Sequence, residues 1–429
     1  MEFQKMDMQL CTIMMEQINC ERIKALADSI GTPFYLMFPD RYCYNLDTFV
    51  SSFKKYYPKV IAGYSFKTNY VPALCNKAKL IGCFAEVVSE FELELAIRLG
   101  FQRIIFNGPI KNKSALEKAI KYRAIINLDA EYEVDYLCKY KQMHPTEYLQ
   151  VGIRLNINLT DEEGSSKIQC GLRHGRFGFP REILAKNLGL LSSCGIKICS
   201  IHGHTSSSDR AVMNYRVITD YMLSVCEKFQ LNDVKYFNVG GGFFGAPPKG
   251  LDLTGKPSYQ DYADTILNCV MANKWFVNHK PYIVIEPGSS VVSNVFEYYT
   301  QIYQLKTIGN KNFVIVDGSV FDVKPTMHTN NLPFSLIHNK ESRLDGISVC
   351  DVVGSTCMEK DIILSSVSLP DTIREGDFIQ IRGVGAYTLS LTPTFINFLP
   401  PVISIEGNGD TRVVRRRQTI EDILAIYRL

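Results

Sequence analysis

The sequence predicts an α/β fold: a (β/α)8 TIM-type barrel joined to a β-rich second domain. Two observations carry this. Strand-like runs and helical patterns alternate between residues 59 and 286, and after residue 297 short strands continue without helices of useful length. Alternation favours parallel pairing through helical crossovers, and eight such units over about 230 residues suit a closed barrel. An open doubly wound sheet is the rival on pattern alone.

The strand-like runs are KVIAGYSF (59–66), CFAEVVS (83–89), RIIFN (103–107), AIINL (124–128), QVGIRLNI (150–157), KICSIHGH (197–204), KYFNVG (235–240) and YIVIE (282–286). Their content of Val, Ile, Phe and Tyr suits a pleated, buried surface. Helices are predicted over 71–80, 89–99, 114–122, 131–141, 181–193, 211–229 and 259–273. SEFELELAIRLG shows the type: Ser89 caps, Phe91, Leu93, Leu95, Ala96 and Leu99 supply apolar faces, and Gly100 ends the helix. Beyond the barrel, NFVIVDG, ISVCDVVG, FIQIRGVGAY and VISIEG read as short strands broken by Gly, Pro and Asn. A last helix is opened by Thr419 and Asp422, spaced as a capping box. The first 30 residues carry a helical pattern, and PFYLM reads as a strand joining the second domain. The divisions are therefore 1–38 (helix and strand of the β domain), 39–297 (barrel) and 298–429 (β-rich domain).

Composition narrows the function classes. A net charge of +3 with dispersed basic residues gives no nucleic-acid footprint, and Arg415-Arg416-Arg417 reads as a solvated edge. No apolar run reaches the roughly 20 residues that span a bilayer, and the N-terminus lacks a signal-peptide pattern. Thirteen cysteines, odd in number and without a C-x-x-C pair, point to a reducing compartment, and the chain reads as cytoplasmic.

Barrel chemistry sits where strands end. Lys67 follows the first run, Glu86 lies near the end of the second, and Asn107 ends the third. Arg154 is on the fifth, His202 and His204 end the sixth, Gly240, Gly241 and Gly242 end the seventh, and Glu286 ends the eighth. Three glycines after a strand let backbone N–H groups approach an anion, with Gly288 in the neighbouring loop. The His202-x-His204 pair faces one way on a strand, so a metal-dependent barrel hydrolase competes. A lysine, an anion cradle, a flat side chain and a lone carboxylate are also what pyridoxal 5'-phosphate needs. The lysine bonds its aldehyde, and the carboxylate keeps its ring nitrogen protonated.

The chain resembles the fold-type III pyridoxal-phosphate decarboxylases, the group of diaminopimelate, ornithine and arginine decarboxylases related to alanine racemase. The motifs that carry the resemblance are YSFKTN, FAEVVSEFEL, RFGF (176–179), HGHTSSS, NVGGGF, IEPG, GSTCMEKD (354–361), GVGAY (383–387) and VVRRRQTIEDIL. It implies an α-decarboxylase of an amino acid or conjugated amino acid in a specialised biosynthetic pathway. It implies Lys67, His204, Glu286 and Cys357 as catalytic residues, with Glu86, Arg154, Ser207, the three glycines, Gly288 and Tyr387 also at the cofactor. Substrate contacts are implied for Lys324, His328, Met358, Glu359 and Asp361, with no resident metal. A homodimer is implied, with Cys357 acting in the partner's site. Departures from the family pattern are Ser289 for Arg, Met358 for an acidic residue, Lys324 for Arg and Phe395 for Tyr. They affect groups that read the far end of the substrate. A racemase of the same fold and a non-catalytic decarboxylase-like regulator stay open beside the hydrolase.

Overall fold

Eight parallel strands close on themselves between Val60 and Ile285 in the computed structural model, which describes residues 19–338 and 346–428. With β1 at Phe34–Met37, the barrel strands are β2 (Val60–Ser65), β3 (Phe84–Val87), β4 (Ile104–Phe106), β5 (Ile125–Leu128), β6 (Gln150–Leu155), β7 (Lys197–Gly203), β8 (Tyr236–Asn238) and β9 (Tyr282–Ile285). Each pairs with its sequence neighbours, and β9 returns to β2 with Val60 opposite Ile283. All eight predicted runs are present. Closure removes the open-sheet rival, because no barrel strand is left with an unpaired edge. Phe84, Ile105 and Val284 pack together inside, with Ile61, Ile125 and Tyr236 against them.

The seven predicted helices form within two residues of their expected ends. In Glu90–Arg98 the Ser89 hydroxyl accepts the Glu92 N–H at 3.2 Å, and Gly100 takes a left-handed φ of 75°. The helix face differs from the one read in sequence. Phe91 is 59% exposed, while Glu92 is buried and accepts the Val88 N–H at 2.8 Å. Burial carries its carboxyl up to about 7. The helix Pro39–Lys54 was not predicted. Its Tyr42, Leu46, Phe49, Val50 and Phe53 are buried at helical spacing, and Phe49 stacks on Tyr259 at 4.4 Å.

By backbone contacts the chain divides into two units, Asn45–Gly245 with Thr254–Ser290, and residues 1–44 with Ala246–Leu253 and Val291–Leu429. The second is built on a mixed nine-stranded sheet. There β1 lies between Phe296–Ile308, antiparallel, and Val402–Ile405, parallel. The PFYLM strand thus joins the β-rich unit as expected. Ile23, Phe34, Leu36, Tyr299, Phe378 and Ile403 form its core. Ile23 comes from the helix Cys20–Ile30, and the earlier part of the predicted N-terminal helix lies outside the described residues. The Thr419–Asp422 capping box opens Ile420–Leu424. Among the described residues, no helix is long and apolar enough to cross a membrane.

One ion pair beneath the strand ends is wholly enclosed. Lys111 Nζ lies 3.1 Å from Glu133 Oε1, with both side chains at 0% exposure. The ammonium also donates to the Gly108 carbonyl at 2.7 Å, and Glu133 Oε2 accepts the Asp129 N–H at 2.7 Å. Two neighbouring strand-end loops are thereby tied together. Lys111→Met should destabilise the protein by about 3–5 kcal/mol in denaturant unfolding, because Glu133 is left charged and buried. Adding Glu133→Leu should recover much of that loss.

Candidate active site

The first strand-end lysine sits on a single 3-10 turn, Phe66–Thr68, directly after β2. Its ammonium is 3.6 Å from Glu86 Oε2, and the lysine side chain is 39% exposed while that of Glu86 is fully buried. The register sets Ser65 beside Glu86, and the Ser65 hydroxyl donates to the same Oε2 at 2.6 Å. Lys67 therefore stands at a half-open strand end with an anion beneath it.

Glu286, one residue past β9, is buried and held from three strands. Its Oε1 accepts Asn238 Nδ2 at 2.7 Å and Asn107 Nδ2 at 2.8 Å, and its Oε2 is 3.6 Å from His202 Nε2. Burial alone would push its carboxyl up. His202, Lys67 and Asn238 outweigh burial and hold it well below the usual carboxylate range. Asn107 Nδ2 also donates to Glu86 Oε1 at 2.9 Å, so Glu86 and Glu286 share one donor.

The two histidine rings lie nearly parallel, 6.5 Å apart. His204 Nδ1 accepts the Gly241 N–H at 3.2 Å, which sets its proton on Nε2, 3.4 Å from the Ser206 hydroxyl. Burial, with the Arg154 and Lys67 charges, drops His204 well below the ordinary histidine range and keeps it neutral. The flat, half-buried ring, with Nδ1 already taken by the Gly241 N–H, can lie against another planar group. Among the described residues no three His, Cys, Asp or Glu side chains cluster as metal ligands.

The glycine triplet is required by close approach. A Cβ on Gly240 would lie 2.6 Å from His204 Cβ, and one on Gly241 would lie 2.4 Å from the Glu286 carbonyl. Gly240 and Gly242 also take left-handed φ values of 72° and 91°. The cradle differs from the expected row of three donors. Gly240 N–H goes to Asn238 Oδ1 and Gly241 N–H to His204, so the triplet's remaining donor is the exposed Gly242. The Ser207 hydroxyl accepts from Arg210 N and Asn214 Nδ2, which leaves its own hydrogen to donate. Gly288 lies where a Cβ would meet Thr68 Oγ1 at 2.4 Å. Arg154 is 3.4 Å from Asp129 Oδ1, donates to the His204 carbonyl at 3.2 Å and lies over Phe177. Its contacts are with the protein's own groups that hold the site. A lysine beside a carboxylate, a neutral ring, a cradle closed to any Cβ and a buried anion fit pyridoxal phosphate.

The other expected residues belong to the β-rich unit and gather around one short helix, Val320–Val323. Lys324 ends it, mostly buried, and burial pulls its ammonium down from the usual lysine range. Burial, and then the Lys324 charge, lower His328. Asp361 is buried and accepts Val320 N at 2.6 Å, Thr356 N at 3.0 Å and Thr356 Oγ1 at 2.6 Å. These bonds fix the loop carrying exposed Cys357, half-buried Met358 and exposed Glu359. Asn397 Nδ2 donates to Ser355 Oγ at 2.8 Å, and Phe395 meets Phe321 edge-on at 5.3 Å. Tyr387, 41% exposed with φ of 63°, opens Thr388–Leu391. The Thr392 hydroxyl beyond that helix donates to the Phe321 carbonyl at 3.1 Å. Asn127, Asn238 and Ser65 were missing from the expected site residues, and Asn107 was expected at a strand end without an assigned role. The only available signal was the position of asparagines 107, 127 and 238 at or near strand ends.

The family model for the pyridoxal binding domain of pyridoxal-dependent decarboxylases matches residues 45–293. Diaminopimelate decarboxylase of Aquifex aeolicus is 26% identical over 411 residues, covering 94% of this chain and 93% of that protein. The enzyme of the same name from Helicobacter pylori strain J99 is 28% identical over 416 residues, covering 93% and 96%. A solved structure of Helicobacter pylori diaminopimelate decarboxylase complexed with L-lysine is 26% identical, with a TM-score of 0.81 and coverage of 94% and 98%. The chain belongs to the pyridoxal-dependent decarboxylases of fold type III, and is a pyridoxal-phosphate-dependent amino-acid carboxy-lyase.

Proposed function

We propose that this enzyme α-decarboxylates an amino acid or conjugated amino acid whose far end differs from that of diaminopimelate, in a specialised biosynthetic pathway of the cytoplasm. The observation that carries the amino-acid chemistry is the joined arrangement of Lys67, Glu86, Asn107 and Glu286, with neutral His204 and the glycine cradle beside it. The departure from diaminopimelate rests on Ser289, Lys324, Met358 and Phe395. The competing reading is diaminopimelate itself, favoured by relatives of that name that align with nine-tenths or more of the chain.

Bound pyridoxal phosphate supplies an aldehyde that links to the substrate amine and a ring that accepts the electrons left when carbon dioxide departs. Lys67 would hold the cofactor by its aldehyde, Gly242 and Ser207 would donate to its phosphate, and His204 would pack beside its ring. Glu286 would favour a protonated ring nitrogen, which strengthens the ring as an electron acceptor. Cys357, an exposed thiol on its loop, would donate the proton that replaces carbon dioxide on the α-carbon. Asp361 shapes the loop that presents Cys357, while Lys324, His328, Met358 and Glu359 contact the substrate and Tyr387 the cofactor.

Purified protein, incubated with pyridoxal phosphate and a panel of diaminopimelate and L-, D- and conjugated amino acids, should release carbon dioxide from one class. Release from diaminopimelate alone establishes the competing reading, and exchange of the α-proton without release indicates a racemase. Borohydride should fix the cofactor to the peptide containing Lys67, and labelling elsewhere removes Lys67 from its role. Glu286→Gln should keep the cofactor bound yet lower kcat by roughly a hundredfold or more. The enzyme is proposed to be a homodimer with shared sites. Inactive Lys67→Ala and Cys357→Ala chains, mixed under verified subunit exchange, should therefore regain part of the activity, whereas absence of recovery argues for sites built within one chain.

A further inference from the structure

Two buried carboxylates at the strand ends depend on the same amide. The NH2 of Asn107 donates to Glu86 Oε1 at 2.9 Å and to Glu286 Oε1 at 2.8 Å, and Asn107 is only 3% exposed. An asparagine amide can be turned over, exchanging its oxygen for its nitrogen. Here one orientation is selected, because both carboxylates only accept, and Asn127 Nδ2 adds a donor to Asn107 Oδ1 at 2.8 Å. The reversed amide would set an oxygen against both carboxylates and an NH2 against the Asn127 donor. Asn127 is also 1% exposed, and it lies opposite Gly152 across β5 and β6.

We propose that Asn107 is a positioning residue that holds Glu86 and Glu286 on one amide and so keeps Glu286 ionised, and that Asn127 helps to fix which way the Asn107 amide points. The inference rests on the roles given above to Lys67 and Glu286. Two carboxylates sharing a site disfavour double ionisation, and a hydrogen bond to each anion opposes that. Lys67 and Ser65 face Glu86 from β2 and its turn, and the buried Glu92 carboxylate adds a like charge. His202 and Asn238 face Glu286 from β7 and β8, and the Arg154 guanidinium acts on both carboxylates from β6. Asn107 is the group that bonds to both. Through it, protonating Glu286 changes the hydrogen bonding available to Glu86, so the pair beneath Lys67 and the pair at the ring nitrogen are linked.

The test is a pH titration of the bound cofactor's absorption spectrum in holoenzyme variants, read beside the pH profile of kcat/KM. Asn107→Leu keeps the volume and removes both donors. Losing the donor to the Glu286 anion raises that carboxyl's proton affinity, so the acid transition of both profiles should move up by about one pH unit. Asn127→Leu should move it in the same direction by less, and the double variant should move it no further than Asn107→Leu alone. An unmoved acid transition in folded, cofactor-loaded Asn107→Leu overturns the proposal, as does full additivity of the two substitutions. If Asn107→Leu does not fold, an unmoved transition in Asn127→Leu overturns it equally. Unchanged turnover in Glu286→Gln sinks the assignment of Glu286 itself. A large loss there, with no movement in Asn107→Leu, sinks only the role of Asn107.

Discussion

A charged carboxylate held away from water is the constraint on which the barrel end is organised. Leaving such a group without partners costs several kcal/mol or forces it to take up a proton. Glu286 avoids both outcomes through Asn107 on the β4 side, His202 on β7 and Asn238 on β8. These groups come together only when the sheet is closed and in register, with His202 opposite Asn238. The backbone continues the theme, since Glu286 N–H donates to the Gly240 carbonyl and ties the cradle to the same strand end. Closure of the barrel and ionisation of this buried carboxylate are therefore one condition.

The β-rich unit solves a separate problem, that of presenting a loop with little regular structure. Asp361 plays the part that a strand ladder plays elsewhere, accepting two backbone N–H groups and the Thr356 hydroxyl. A Cβ on Gly354 would lie 2.3 Å from that carboxylate, so the loop closes tightly over it. The result is an exposed thiol on a rigid mount. The same short helix that receives Asp361 also carries Phe321 against Phe395 and leads directly to Lys324. Residues far apart in sequence thereby share one support.

The barrel was legible because period-two and helical patterns alternate eight times, and because Gly100 and Ser89 mark a helix's limits in familiar ways. Helix Pro39–Lys54 escaped notice because aromatic and polar residues are interleaved along it and its apolar stripe shows only at three- and four-residue spacing. In Glu90–Arg98 Leu93 and Ala96 are buried as expected, but an exposed Phe91 and a buried Glu92 shift the face, since a capping bond to Val88 N–H rewards the carboxylate. Lys67, Glu86, His204 and Glu286 stood out as polar residues at strand ends. Asn107 stood out with them by position alone, and Asn127 and Asn238 did not, because an amide is ordinary in a sequence and becomes specific only when its partners are known. The divided use of the glycine N–H groups was likewise invisible, as it depends on where a histidine nitrogen points.

Gly152 shows how far such dependence reaches. It takes part in no chemistry, yet a Cβ there would lie 1.8 Å from Asn127 Oδ1 and 2.8 Å from Ser200 Cβ. The smallest possible residue on β6 is thus the space in which an amide on β5 rests. In evolutionary terms the two positions form a ratchet. A lineage that gained a side chain at 152 would first have to give up the asparagine at 127, and one that kept the asparagine would be closed to every substitution at 152. Among natural relatives the two sites should change together or not at all.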